Sequence, residues 1–92
     1  MIKTFKCEDT KALADGDRVR RFVNIEKVAR RKLRQLDIAG RLDDLKVPPG
    51  NRLELLKGDR AGQYSIRINE RWRICFNWGE AGAEEVEIVD YH

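Results

Sequence analysis

Tyr64-Ser65-Ile66-Arg67-Ile68-Asn69-Glu70-Arg71-Trp72-Arg73-Ile74-Cys75-Phe76-Asn77-Trp78 decides the fold. Tyr64, Ile66 and Ile68 alternate with Ser65 and Arg67. Trp72, Ile74, Phe76 and Trp78 alternate with Arg73, Cys75 and Asn77. A period of two marks strands with one buried face. If Ile68 and Trp72 both face the core, they pair, and Asn69-Glu70-Arg71 forms a three-residue loop. Ile66 then lies opposite Ile74, and Arg67 opposite Arg73. A two-residue loop would turn one strand's apolar residues outward, so the register is tightly specified.

The same period flanks the hairpin. Leu53 and Leu55 alternate with Arg52 and Glu54, and Val86 and Ile88 with Glu85 and Glu87. Four strands on short loops imply an antiparallel sheet with one buried face. Before the Val47-Pro48-Pro49-Gly50-Asn51 break, the period is helical. Ile25, Val28, Ala29, Leu33 and Leu36 make one apolar stripe, with Asn24 placed to cap it and Gly40 to end it. Leu42 and Leu45 predict a further turn or two. Residues 1–6 read as a short strand, and Asp9 or Thr10 as the cap of a short helix through Leu13. The expected class is α+β: two layers, with helices on one face of a mostly antiparallel sheet. With 92 residues and no repeat or linker, residues 1–92 are expected to form a single domain.

Charged residues make up 38% of the chain, and the net charge is +3. Residues 1–46 carry 13 Lys or Arg against 8 Asp or Glu; residues 47–92 carry 6 against 8. The basic excess therefore lies between Arg18 and Lys46. Lys27, Arg30, Arg31 and Arg34 fall on the outer face of the main helix, a charge distribution that attracts phosphate backbones or an acidic partner. No apolar run reaches the ~20 residues of a membrane helix, and the first residues lack a signal-peptide core, so a cytoplasmic location is expected. Cys7 and Cys75, without CxxC spacing and with one histidine in the chain, make neither a metal site nor an expected disulfide.

Three groups carry candidate chemistry. Arg67 and Arg73 project together from the face away from the helices. Facing like charges are unfavourable, so the pair reads as a site for an anion such as an RNA phosphate. The competing reading splays both into water, balanced by Glu54 or Glu87. Lys57-Gly58-Asp59-Arg60 adds two cations near the end of the strand containing Leu53 and Leu55. Asp90-Tyr91-His92 closes the chain with its only histidine. An imidazole suits proton transfer, and the terminal carboxylate beside it favours its charged form.

Together these pieces resemble the HigB toxins of the RelE/ParE superfamily, small bacterial toxins of type II toxin–antitoxin systems. The likeness rests on Met1-Ile2-Lys3-Thr4-Phe5, Leu56-Lys57-Gly58-Asp59-Arg60, Gly62 through Ser65-Ile66, Trp72-Arg73-Ile74 with Phe76, and Asp90-Tyr91-His92. It spans nearly the whole chain and is weaker across residues 18–46. The resemblance implies a ribosome-dependent endoribonuclease that inhibits translation by cutting messenger RNA in the decoding site. It implies no metal or other cofactor. The ribose 2′-hydroxyl attacks the adjacent phosphodiester, leaving a 2′,3′-cyclic phosphate and a 5′-hydroxyl. Lys57 and Arg73 would stabilise the developing phosphorane charge. Tyr91 would stack on or orient a nucleotide. Asp90 and His92 would hold or exchange a proton. Arg60 and Arg67 would support them, and Lys27, Arg30, Arg31 and Arg34 would grip ribosomal RNA. The implied partners are the ribosome with bound message and a cognate HigA-like helix-turn-helix antitoxin, with the free toxin a monomer.

Some members carry a histidine in the strand before the Lys-Gly-Asp-Arg turn, where this chain has Glu54. A carboxylate with an unperturbed pKa of about 4.3, kept ionised by arginines, is a weaker general base and implies slower cleavage. Alternation raises a second difficulty. If Val86 and Ile88 face the core, Tyr91 points to the open face and Asp90 and His92 do not, unless the strand bulges near Val89 or the two act from its end. Two other readings stand: a ParE-like, non-enzymatic inhibitor of DNA gyrase, and a nucleic-acid-binding regulator without toxicity. Fold alone separates neither from the nuclease.

Overall fold

A computed structural model of the chain describes residues 1–90. Two helices, α1 (Glu8–Ala14) and α2 (Glu26–Ile38), precede four strands: β1 (Glu54–Leu55), β2 (Tyr64–Arg67), β3 (Trp72–Gly79) and β4 (Gly82–Asp90). The strands form an antiparallel meander in the order β1-β2-β3-β4. Both helices pack on the sheet, and the fold is α+β as expected.

The hairpin has the register its alternation demands. Ile66 pairs with Ile74 and Arg67 with Arg73. Ile68 N–H donates to the Trp72 carbonyl at 2.9 Å, and Asn69 Oδ1 accepts from the backbone of Arg71 and Trp72, closing the three-residue loop. Ile66, Ile74, Phe76, Val86 and Ile88 are buried against Phe22, Ile25, Ala29, Leu33 and Leu36. The α2 stripe thus meets the sheet's apolar face, and each buried aliphatic side chain contributes roughly 1.5–3 kcal/mol.

The element ends depart from expectation. α2 starts after Ile25, without a side-chain cap from Asn24. α1 begins at Glu8 and encloses Thr10, which is fully buried. Its hydroxyl accepts from Ile88 N–H at 3.0 Å, so it ties α1 to β4 instead of capping the helix. Leu42 and Leu45 do form a further turn, a single 3-10 helix over Leu42–Lys46. β1 is only two residues long. Leu55 shares a face with Tyr64 and Phe76 yet is 55% exposed, because it lies on the sheet edge away from β4, the strand on which both helices pack.

Residues 1–6 run parallel to β4 and make two isolated bridges, Ile2 to Ala83 and Phe5 to Val86, in place of a continuous strand. β4 bulges opposite Phe76: Cys75 pairs with Glu87 but Asn77 with Glu84, and Glu85 takes φ 51°. Thr4 secures the bulge, its hydroxyl accepting from Glu85 N–H at 2.8 Å and its carbonyl from Val86 N–H at 3.1 Å. The extra residue lets Ala83 and Val86, three apart, both face inward.

A polar cluster lies beneath α2. Asn51, fully buried, donates to the Leu45 carbonyl at 3.1 Å and to Gln35 at 3.2 Å, and accepts from the Lys32 ammonium. Burial lowers the Lys32 pKa, and nearby Arg31 lowers it further. Its charge therefore opposes folding, an opposition relieved as pH rises from the lowered value toward the ordinary one.

Two substitutions test these contacts. Gly82 has φ 129°, and a Cβ there would lie 2.1 Å from the Met1 carbonyl oxygen. Gly82→Ala is expected to lower stability by about 2 kcal/mol in urea unfolding. Asn51→Ala, which strips partners from Leu45 and Lys32, should cost about 2–3 kcal/mol in the same measurement.

Candidate functional site

The site is built on the sheet face turned away from the helices. Ser65 and Cys75 are register partners there, and both are fully buried. Their small side chains form a floor over which longer ones lie. Arg73 is the best fixed of these. Its Nε donates to Ser65 Oγ at 2.8 Å, and its Nη2 to the Arg52 carbonyl at 2.9 Å. Glu54 Oε1 stands 4.0 Å from the same Nη2. Arg52 follows the Pro49–Asn51 turn in a left-handed conformation, φ 46°, and its carbonyl reaches the guanidinium from there. The Arg73 side chain is only 14% exposed, so it is not splayed into water. Arg67, half-buried, is its direct partner across the hairpin.

A second group lies beside the first. Arg60 Nη1 donates to Glu87 Oε1 at 2.9 Å and to Gln63 Oε1 at 3.1 Å, and Lys6 Nζ is 3.8 Å from Glu87. Burial pushes the Cys75 thiol pKa up, against the downward pull of Arg60 and, more weakly, Arg73 and Lys6; Glu87 adds to the rise. Lys57 is exposed where β1 gives way to the Gly58–Arg60 turn, and with Glu54, Leu55 and Leu56 it lines an open cavity of about 430 Å³.

The sequence-predicted residues thus divide. Arg73, Arg67 and Glu54 share the open face, Arg60 lies over it through Glu87, and Lys57 stands at its edge. Asp90 is placed differently. Val89 pairs regularly with Arg73 and Asp90 with Trp72, so β4 does not bulge near Val89, and the register assigns Asp90 to the helix-side face. Its carboxylate accepts from Arg71 Nε at 2.9 Å and Nη2 at 2.7 Å at the hairpin tip, and this raises the Arg71 pKa. Tyr91 and His92 lie outside the described residues.

On α2, Lys27, Arg31 and Arg34 are exposed. Arg30 is committed elsewhere: it donates to the carbonyls of Leu13 at 3.1 Å and Asp17 at 2.7 Å and pairs with Glu26 at 2.9 Å, joining the end of α1 to α2. Among the described residues, no three His, Cys, Asp or Glu side chains gather as metal ligands, and no helix is long and apolar enough to cross a membrane. Sequence reasoning missed Ser65 and the Arg52 carbonyl. The available signal was a hydroxyl in mid-strand, opposite a cysteine and diagonal to an arginine.

The structure defines a small two-layer α+β protein whose uncovered sheet face fixes an arginine among further cations, a charge arrangement that suits an anion such as a phosphate. Comparison with known proteins specifies the family. The profile of RelE-like toxins of the HigB type II toxin–antitoxin system matches residues 4–92. The chain is 39% identical over 80 residues to Toxin HigB-1 of Vibrio cholerae, covering 85% of this chain and 84% of the relative. It is 34% identical over 94 aligned positions to Endoribonuclease HigB of Proteus vulgaris, covering both chains fully. The chain belongs to the family of RelE-like HigB toxins of type II toxin–antitoxin systems. That membership implies an antitoxin partner and sets aside the reading as a regulator without toxicity.

The thiols offer a direct check on the packed floor. Cys7 is half-exposed and Cys75 buried with a raised pKa. An alkylating reagent at neutral pH should modify Cys7 readily and Cys75 only after denaturation, as peptide mapping would show. Rapid native modification of Cys75 would mean the floor is open.

Proposed function

We propose that this chain is the endoribonuclease toxin of its system and cuts messenger RNA bound in the ribosomal decoding site. The supporting observation is the restrained Arg73 guanidinium, partnered across the hairpin by Arg67, with the Glu54 carboxylate 4.0 Å away on the same face. A phosphodiester entering this face meets an arginine that is already oriented. The 2′-hydroxyl attacks the adjacent phosphorus, the 5′-oxygen leaves, and negative charge grows on the non-bridging oxygens. Arg73 and Lys57 stabilise that charge. Glu54, exposed and beside Arg73, is the carboxylate on this face available to take the 2′-hydroxyl proton. His92 supplies the proton to the leaving oxygen, and Tyr91 stacks on a base. Asp90, gripped by Arg71 at the hairpin tip, holds or exchanges a proton from the end of its strand.

Lys27, Arg31 and Arg34 bind ribosomal RNA through its phosphates, with Arg60 and Arg67 supporting the message. The antitoxin is a HigA-like helix-turn-helix protein, the free toxin a monomer, and the site of action cytoplasmic. The name of the Proteus vulgaris relative supports the endonuclease reading over gyrase inhibition.

Purified ribosomes programmed with a short message provide the test. Native protein should cut within the bound message and leave 2′,3′-cyclic phosphate and 5′-hydroxyl ends. Arg73→Ala and Lys57→Ala should each slow cutting by about 10²–10³-fold, the scale of losing one transition-state donor, and His92→Ala should slow it too. Native protein that makes no ribosome-dependent cuts overturns the reading, and DNA breaks in the presence of gyrase would put the inhibitor in its place.

A further inference from the structure

We infer that Ser65, together with the Arg52 carbonyl, is a positioning residue that sets the Arg73 guanidinium for the scissile phosphate. The inference rests on the cleavage reading above and deepens it.

A buried hydroxyl must be hydrogen-bonded to be tolerated, and here the partner is Arg73 Nε at 2.8 Å. The Arg52 carbonyl takes Nη2 of the same group at 2.9 Å. A planar guanidinium held at two nitrogens loses its freedom to rotate about the end of its side chain. The restraint opposes a real tendency to move, because Arg67 is the direct register partner of Arg73 and like charges across a sheet repel. Without the two contacts, Arg73 would relieve that repulsion by swinging into solvent. With them, Arg73 stays beside Arg67 on one face, ordered before any anion arrives. Such preorganisation acts on the rate of the chemical step, since no reorientation is left to do as charge develops.

The position explains the residue type. Ser65 pairs with Cys75 on one side and Glu54 on the other, and its face is covered by long side chains. Alanine would fill the space as well, but would offer the Arg73 Nε–H no hydroxyl in place of Ser65 Oγ.

The experiment compares Ser65→Ala, Ser65→Thr, Arg73→Ala and the Ser65→Ala/Arg73→Ala double variant in the ribosome assay. Thermal unfolding establishes that each is folded. Ser65→Ala is expected to lower kcat about 10–100-fold, as a misplaced catalytic group does, with KM for the programmed ribosome within about twofold of native. Threonine, which keeps the hydroxyl, should restore most of the rate. In the Arg73→Ala background, loss of the Ser65 hydroxyl should have no further effect, because Ser65 acts through Arg73. Native-rate cutting by Ser65→Ala, or an equal loss with and without Arg73, would overturn the inference. A second readout does not depend on cleavage: the Nε–H proton of Arg73, identified by its absence in Arg73→Ala, should give a protected ¹H–¹⁵N resonance in the native protein and lose that protection in Ser65→Ala. If native protein cuts no RNA, the cleavage reading has failed. The resonance still decides Ser65, and unchanged protection in Ser65→Ala would sink its role.

Discussion

The register of the β2–β3 hairpin is the constraint on which the rest of the structure depends. Pairing Ile66 with Ile74 commits Tyr64, Phe76 and Trp78 to the helix side and places Arg67, Arg73, Ser65 and Cys75 on the other. A slip of one residue would bury the arginines under α2 and expose the isoleucines. The hydrophobic effect thus chooses the pairing, and the charged face follows from it. The site has no separate folding instruction: the burial that makes the core also gathers the cations.

That dependence explains what was legible in the sequence. The Tyr64–Trp78 alternation carries the register because both strands have a continuous apolar face and a loop whose length admits one pairing. The α2 stripe is legible for the same reason. Features set by single contacts were not. Thr10 lies inside α1 because its hydroxyl meets β4, an interaction 78 residues apart in sequence. The β4 bulge depends on Thr4 from the opposite end of the chain. Lys32 sits on the buried side of a helix on which Lys27, Arg31 and Arg34 face out, because Asn51 from a later turn accepts its hydrogen bond. Local pattern contains none of these distant partners.

The candidate site shows the same division. Co-location of Arg67 and Arg73 on one face was readable from parity alone. Their condition was not, since opposed arginines can splay apart or be held. The outcome was decided by the small pair Ser65–Cys75, which makes room, and by a left-handed Arg52, which contributes its carbonyl. The cations are therefore unlike in kind. Arg60 is matched with Glu87 and Arg30 with Glu26 and two carbonyls, whereas Lys57 is exposed at the edge of the face. A count of positive charges would treat them alike, but the hydrogen bonds sort them into those that build the fold and those that face outward.

Residues 1–6 lie along β4, while the opposite margin of the sheet ends in the two-residue β1 beside a left-handed Arg52. Among the described residues, neither margin offers a long row of unsatisfied peptide groups to another chain. Edge-to-edge stacking of copies into fibrils accordingly lacks a template. The shortness of β1, which narrows the sheet, also helps to keep crowded molecules from growing on one another.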